Sequence, residues 1–187
     1  MVNVIHKFIH EYDFPYHDYL KIYKEELISN YLRQKEFDKS ITDLQLPMSH
    51  PLNIFLPSKL NKIVKKNYWT GKPLTNYGFR IYIQNNINNT SFYHNHINEY
   101  QTSSISGVFY TDPPKDGGEI SFLVNPDNHP DSPKEIIIKP KQNKLYLFPY
   151  WIFHKPLPQK DEEYRICFNW VHGSPTRPIH KLETITW

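Results

Sequence analysis

Hydrophobic and polar positions divide this chain into a helical first third and a strand-rich remainder. Residues 1–15 read as an opening strand or arm that closes at Pro15. Over residues 18–31, Tyr19, Leu20, Tyr23, Leu27, Ile28 and Tyr31 recur at three- and four-residue steps, with Lys24, Glu25 and Glu26 between them. That spacing predicts an amphipathic helix. Pro47, Pro51 and Pro57 interrupt residues 38–57 and predict loop or short turns. Ser58 suits the N-cap of a second helix through about Asn67, with Leu60, Ile63 and Val64 turned inward.

From Trp69 onward the period shortens to two. Residues 79–83 alternate, a polar Asn-rich turn covers 85–90, and 92–96 and 105–111 have strand character. A Pro/Gly turn at 113–118 leads to a strand over 119–124, and a loop spans 125–133. Strands follow at 135–139 and 143–148, then a loop at 156–163 and a last strand over 164–171. Many short strands with turn signals between them predict a closed barrel or double-sheet jelly roll. The two helices are expected to pack outside one sheet. The fold class is thus mainly β with flanking α-helices. The 187 residues fit a single domain, with 1–68 as a helical support region and 69–187 as the β core.

Composition narrows the function classes. Aromatic residues make up 16% of the chain, enough to line a pocket as well as fill a core. The net charge of +3 is too mild to argue for nucleic acid as a partner. The lysines between Lys59 and Lys66 read as a solvated helix face. A single cysteine, Cys167, rules out an internal disulfide and fits a reducing compartment, so the expected location is cytoplasmic. No apolar run approaches the ~20 residues a membrane span needs, and the N-terminus lacks the apolar core of a signal peptide.

The candidate chemistry centres on Phe92-Tyr-His94-Asn-His96. In extended backbone, residues two apart point the same way, so His94 and His96 share a face. Two neighbouring imidazoles can grip one metal ion, and His154, far downstream after an aromatic strand, is the best third ligand. The remaining histidines read as structural. In the last strand, Arg165, Cys167 and Asn169 share one face, and Tyr164, Ile166 and Phe168 the other. A buried guanidinium demands an anion, best a carboxylate held by two parallel hydrogen bonds. No acid lies on that face of the strand, so a small-molecule carboxylate would answer it.

These pieces carry a resemblance. Residues 81–171 resemble the double-stranded β-helix core of the 2-oxoglutarate/iron(II)-dependent oxygenases, in particular their bacterial and phage branch, with prolyl hydroxylase-like enzymes as wider kin. The matching stretches are His94-Asn-His96, Ser106-Gly-Val-Phe-Tyr110, Gly117-Gly-Glu-Ile-Ser-Phe122, Leu147-Phe-Pro149, His154 and Arg165-Ile-Cys-Phe-Asn169, in that order. The resemblance implies an enzyme that uses iron(II), O₂ and the cosubstrate 2-oxoglutarate to hydroxylate a C–H bond of an unidentified substrate. His94 and His154 become iron ligands, and Arg165 pairs with the distal carboxylate of 2-oxoglutarate. Tyr110 and Tyr82 fall where pocket-lining hydroxyls are expected, and Asn169 lies one strand repeat beyond the arginine.

One position departs from the family. A carboxylate normally stands two residues after the first histidine, and here it is His96. Either His96 is the third ligand, or Glu99 folds back to supply the carboxylate and His96 stands behind it. Trp151, Tyr150, Tyr93, Asn95 and Arg80 are candidate substrate contacts. Two other readings stay open on the residues: a cupin-type metal protein, which has no use for Arg165, and a non-catalytic jelly-roll module of a phage, which binds no metal. The helical N-terminal region could cover the core, bind substrate or form a homodimer contact.

Overall fold

The computed structural model describes residues 2–6, 8–67, 75–87, 92–96, 105–124 and 134–173. In chain order these form β1 (Val2–His6), β2 (Ile9–Asp13), α1 (His17–Lys21), α2 (Lys24–Phe37), α3 (Leu52–Asn67), β3 (Thr75–Gln84), β4 (Ile105–Tyr110), β5 (Ile120–Val124), β6 (Lys134–Ile138), β7 (Lys144–Pro149), β8 (Phe153–Pro156) and β9 (Arg165–Gly173). A six-stranded antiparallel sheet runs in the order β1-β2-β7-β4-β9-β3, and a three-stranded one in the order β6-β5-β8.

Alternation along the strands sorts side chains into two cores. Tyr146 and Phe148 of β7, Val108 and Tyr110 of β4 and Cys167 of β9 meet Ile120, Phe122 and Val124 of the small sheet. The two sheets therefore pack face to face, as the double-stranded β-helix requires. Leu145, Leu147, Phe109, Ile166 and Phe168 leave the other face of the large sheet and meet the helices. The stripe expected over 18–31 faces this second core, although the helix breaks into α1 and α2 and continues to Phe37.

Three elements differ from the expectation. Residues 1–15 hold two strands, and β2 pairs with β7, so this region builds the large sheet as well as supporting it. Helix α3 begins six residues before Ser58 and runs through Pro57. The backbone N–H of Leu52 donates to His50 Nδ1 at 3.2 Å, so a histidine ring caps this end instead of a serine. Leu52, Leu56 and Leu60 are fully buried at four-residue steps. Each contributes about 1.5–3 kcal/mol of burial, together more than the roughly 3 kcal/mol an interior proline costs. Third, residues 92–96 pair with β8 through one isolated bridge, His94 with His154, rather than as a full strand.

Candidate metal and carboxylate site

His154 is positioned by β8, opposite Phe122 of β5. Its ring is 5% exposed, with Phe148 edge-on at a centroid distance of 4.6 Å. Burial, reinforced by neighbouring His94, pushes its pKa down to about 3, so the imidazole is neutral and keeps a lone pair to give. His94 is locked to it by paired backbone hydrogen bonds, His94 N–H to the His154 carbonyl at 3.0 Å and the reverse at 2.9 Å. The N–H of His96 donates to the Tyr150 carbonyl at 2.9 Å.

The side chains then converge. Ring centroids lie 4.4 Å apart for His94 and His154, 5.4 Å for His94 and His96, and 5.2 Å for His96 and His154. Each ring offers one nitrogen, and these three nitrogens lie within 4.8 Å of one another. Metal–nitrogen bonds are roughly 2 Å long, so three nitrogens this close can share one ion once the rings turn toward it. The second nitrogens fix the tautomers. His154 Nδ1 is 2.9 Å from the Ile152 carbonyl and His94 Nδ1 is 3.3 Å from that of Phe92. A carbonyl only accepts, so Nδ1 carries the proton and Nε2 the lone pair. Imidazole nitrogens suit iron(II), as they suit zinc, copper and nickel. Glu99 lies outside the described residues.

The second half of the site is built around Arg165, the first residue of β9, which is 2% exposed. Nη1 donates to the Gly118 carbonyl at 3.0 Å and Nη2 to Gln84 Oε1 at 2.7 Å. Nε is buried with no hydrogen-bond partner. Among the described residues no carboxylate forms an ion pair with this guanidinium. Its neighbours are neutral. The Tyr110 ring centroid is 5.7 Å from Cζ, and burial holds the Tyr110 hydroxyl well above its ordinary pKa. Burial likewise pushes the Cys167 thiol up to about 12. A cation answered only by dipoles in a low-dielectric interior attracts any anion that can reach it.

The glycine pair at the 113–118 turn makes this arrangement sterically possible. Gly118 has φ +70°, and a Cβ there would stand 2.5 Å from Arg165 Nη1 and 2.2 Å from Pro114 Cγ. Only glycine takes that backbone and leaves the room. Tyr82 faces Cys167 across the β3–β9 ladder and is half-buried, and burial raises its hydroxyl pKa. Asn169 accepts from the Cys167 thiol at 3.5 Å. Tyr110, Tyr82 and Asn169 thus lie on or beside the face that carries Arg165 and Cys167.

The substrate-contact candidates fare differently. The Tyr93 hydroxyl is engaged with Ser121 and Glu135 on the small sheet. Trp151 is 40% exposed and packs edge-on against Phe8, and Arg80 is exposed. Tyr150 contributes its carbonyl to His96, and Asn95 stands half-buried between the two histidines. Sequence reasoning missed Gln84 and the Gly118 carbonyl, the two partners of Arg165. Gln84 was within reach: it continues the alternation of Arg80 and Tyr82 along β3.

A jelly roll bearing a histidine cluster and a buried arginine is the arrangement that the resemblance implied. Residues 82–170, which contain all three histidines and Arg165, match the family model described as "Putative 2OG-Fe(II) oxygenase". That segment, just under half of the chain, is therefore similar to the 2-oxoglutarate/iron(II)-dependent oxygenases, the resemblance its motifs carry. Iron(II), 2-oxoglutarate and O₂ are the cofactors of that family, and the three-histidine group fits the iron site. No curated protein matches the chain by sequence. Among solved structures, the chain resembles the collagen prolyl hydroxylase of Paramecium bursaria Chlorella virus-1, with TM-score 0.62, 16% identity and coverage of 89% of this chain and 90% of that one. It resembles AviO1 of Streptomyces viridochromogenes Tue57 at TM-score 0.67 and 10% identity, covering 91% of each chain. A prolyl-4-hydroxylase of Pseudomonas putida follows at TM-score 0.57 and 14% identity, covering 87% and 91%. At these identities the likeness is one of fold. No helix among the described residues is long and apolar enough to cross a membrane.

Proposed function

We propose that this protein is an iron(II)- and 2-oxoglutarate-dependent dioxygenase that hydroxylates a C–H bond, with a prolyl or other amino-acid residue as the substrate class. His94, His96 and His154 hold the metal, with His96 in the place of the usual carboxylate. Arg165 pairs with the distal carboxylate of 2-oxoglutarate, and Tyr110, Tyr82 and Asn169 line the pocket around it. The observation that carries this reading is the buried guanidinium with an unpartnered Nε and no acid paired to it among the described residues, in the same sandwich as three converging imidazoles. Two of the structures that share its fold are prolyl hydroxylases, which supports the substrate class.

Bound iron(II), with 2-oxoglutarate and O₂, supplies an oxidant as the cosubstrate is decarboxylated to succinate. The chain's own residues do the rest. Arg165 orients the diacid by a charge-assisted contact whose strength rises with burial. Tyr110, held neutral by burial, offers a hydroxyl hydrogen bond without adding a competing charge. Phe122 and Phe148 keep water from the inner side of His154. The free, buried Cys167 supports a reducing, cytoplasmic setting.

The test is succinate release from 2-oxoglutarate under iron(II) and O₂, against proline-containing peptides and free amino acids. Turnover with a peptide, or slow decarboxylation without any substrate, is the expected result. Absence of succinate under every condition contradicts the assignment.

A further inference from the structure

Residues 92–96 carry two of the three metal-binding histidines, yet an isolated bridge joins them to β8 in place of a ladder. Something else must fix the segment, because a ligand displaced by an ångström no longer closes the site. The side chains that leave the opposite side of the backbone provide it. In extended backbone, neighbours point to opposite faces, so Tyr93 projects away from His94 and Lys155 away from His154. Ile120, Phe122 and Val124 point into the sandwich, which places Ser121 on the outer face of the small sheet. Ser121 stands opposite Lys155 and Ile137 in the ladder and is nonetheless completely buried.

Tyr93 lies in hydrogen-bonding contact with it. The Tyr93 and Ser121 hydroxyl oxygens are 2.6 Å apart, and Glu135 Oε1 stands 2.9 Å from Tyr93 and 2.5 Å from Ser121, so two hydroxyl protons are shared among three close oxygens with the carboxylate as acceptor. Lys155 Nζ stands 4.3 Å from the Tyr93 ring centroid. One side chain beside a histidine thus grips β5, β6 and β8 together. Hydrogen bonds to a carboxylate are the strong kind, and a cation over a phenol ring adds to them.

We propose that Tyr93, through Ser121 and Glu135, is a positioning residue for the metal: it pins the ligand-bearing segment to the small sheet so that His94 and His96 hold their places beside His154. This rests on the metal-site reading above. Groups that orient ligands from behind are worth about ten- to a hundredfold in metal affinity.

Cobalt(II) titrated into the full chain reads the ligand geometry directly, through its dissociation constant and its visible absorption. Tyr93→Phe keeps the ring against Lys155 and removes the hydroxyl. Glu135→Gln, at an exposed site, removes the charge with little risk to folding. Each is expected to weaken cobalt binding about ten- to a hundredfold and to alter the spectrum, while the thermal midpoint of the metal-free protein moves little. The double variant is expected to be no weaker than the worse single one, because both break one chain of contacts. Cobalt affinity and spectrum unchanged in both variants overturn the proposal, and so does an affinity loss that only accompanies loss of the fold in both. A parent protein that binds no cobalt overturns the metal-site reading and this proposal with it.

Discussion

The histidine end and the arginine end of the site are built by opposite means. Arg165 opens β9, which is paired along its length with β3 on one side and β4 on the other. Its two bonded nitrogens are fixed by Gln84 of β3 and by the Gly118 carbonyl at the head of β5. The histidines instead come from a four-residue strand and a segment that meets it in one isolated bridge rather than a ladder. The anion end is therefore held by long ladders, and the metal end by short pieces that side-chain contacts such as those of Tyr93 fasten to the small sheet. What the comparison teaches is a division of labour. The large sheet supplies ladders where a diffusible diacid must be recognised, and the small sheet supplies side-chain anchors where ligands must converge on a cation.

The sharpest way to break this comparison is to cut each end separately. His154→Ala removes the buried member of the cluster and is expected to cut cobalt affinity by more than about a hundredfold, beyond the loss typical of an outer partner. Calorimetric titration of the metal measures it. Arg165→Met keeps volume and removes the charge. Loss of a buried charged partner costs about 2–5 kcal/mol, so 2-oxoglutarate affinity is expected to fall by at least roughly thirtyfold. Metal affinity in the absence of 2-oxoglutarate is expected to stay within a few-fold of the parent's. Equal losses of metal affinity in the two variants would merge the two ends into one.

Acid sharpens the difference at the histidine end. The pKa of His154 is about 3 in the folded chain against an ordinary 6.5. Unfolded protein therefore takes up a proton that the folded protein refuses. The resulting stability is fully present above 6.5 and is lost as pH falls toward 3, at up to about 1.4 kcal/mol per pH unit. Denaturation of metal-free protein between pH 7 and pH 4 measures this, and His154→Ala is expected to flatten the dependence. A smaller effect tests the arginine end. Gly118→Ala forces a side chain into the left-handed region and against Arg165, at a cost of about 1–3 kcal/mol. Thermal melting reads the stability loss, and weaker 2-oxoglutarate binding reads the displaced guanidinium.

The same contrast governs what the residues alone disclose. Period-two alternation assigns Arg165 and Cys167 to one face and Ile166 and Phe168 to the other, and that is how the two cores divide them. The apolar stripe over 18–31 faces the core as its spacing requires. Local signals fail where distant packing decides. Pro57 reads as a breaker, and the buried Leu52, Leu56 and Leu60 outweigh it. β8 has four residues, too few to show a period. The N-terminal hairpin depends on β7, far along the chain. At the site, the His94 and His96 pair is visible as spacing, and its convergence with His154 required long-range pairing. The engagement of Tyr93 with Glu135 joins the 92–96 segment to β6, far along the chain, and no local pattern announces it.

The central claim is that three converging imidazoles and one buried guanidinium take up a cation and a dicarboxylate together. Calorimetric titration of 2-oxoglutarate into the protein with and without cobalt(II) tests it most directly. The expected result is one site per chain, at least about tenfold tighter when the metal is present, because a chelated ion adds attraction that Arg165 alone does not supply. Identical 2-oxoglutarate affinity with and without cobalt, or no binding in either state, would contradict the account.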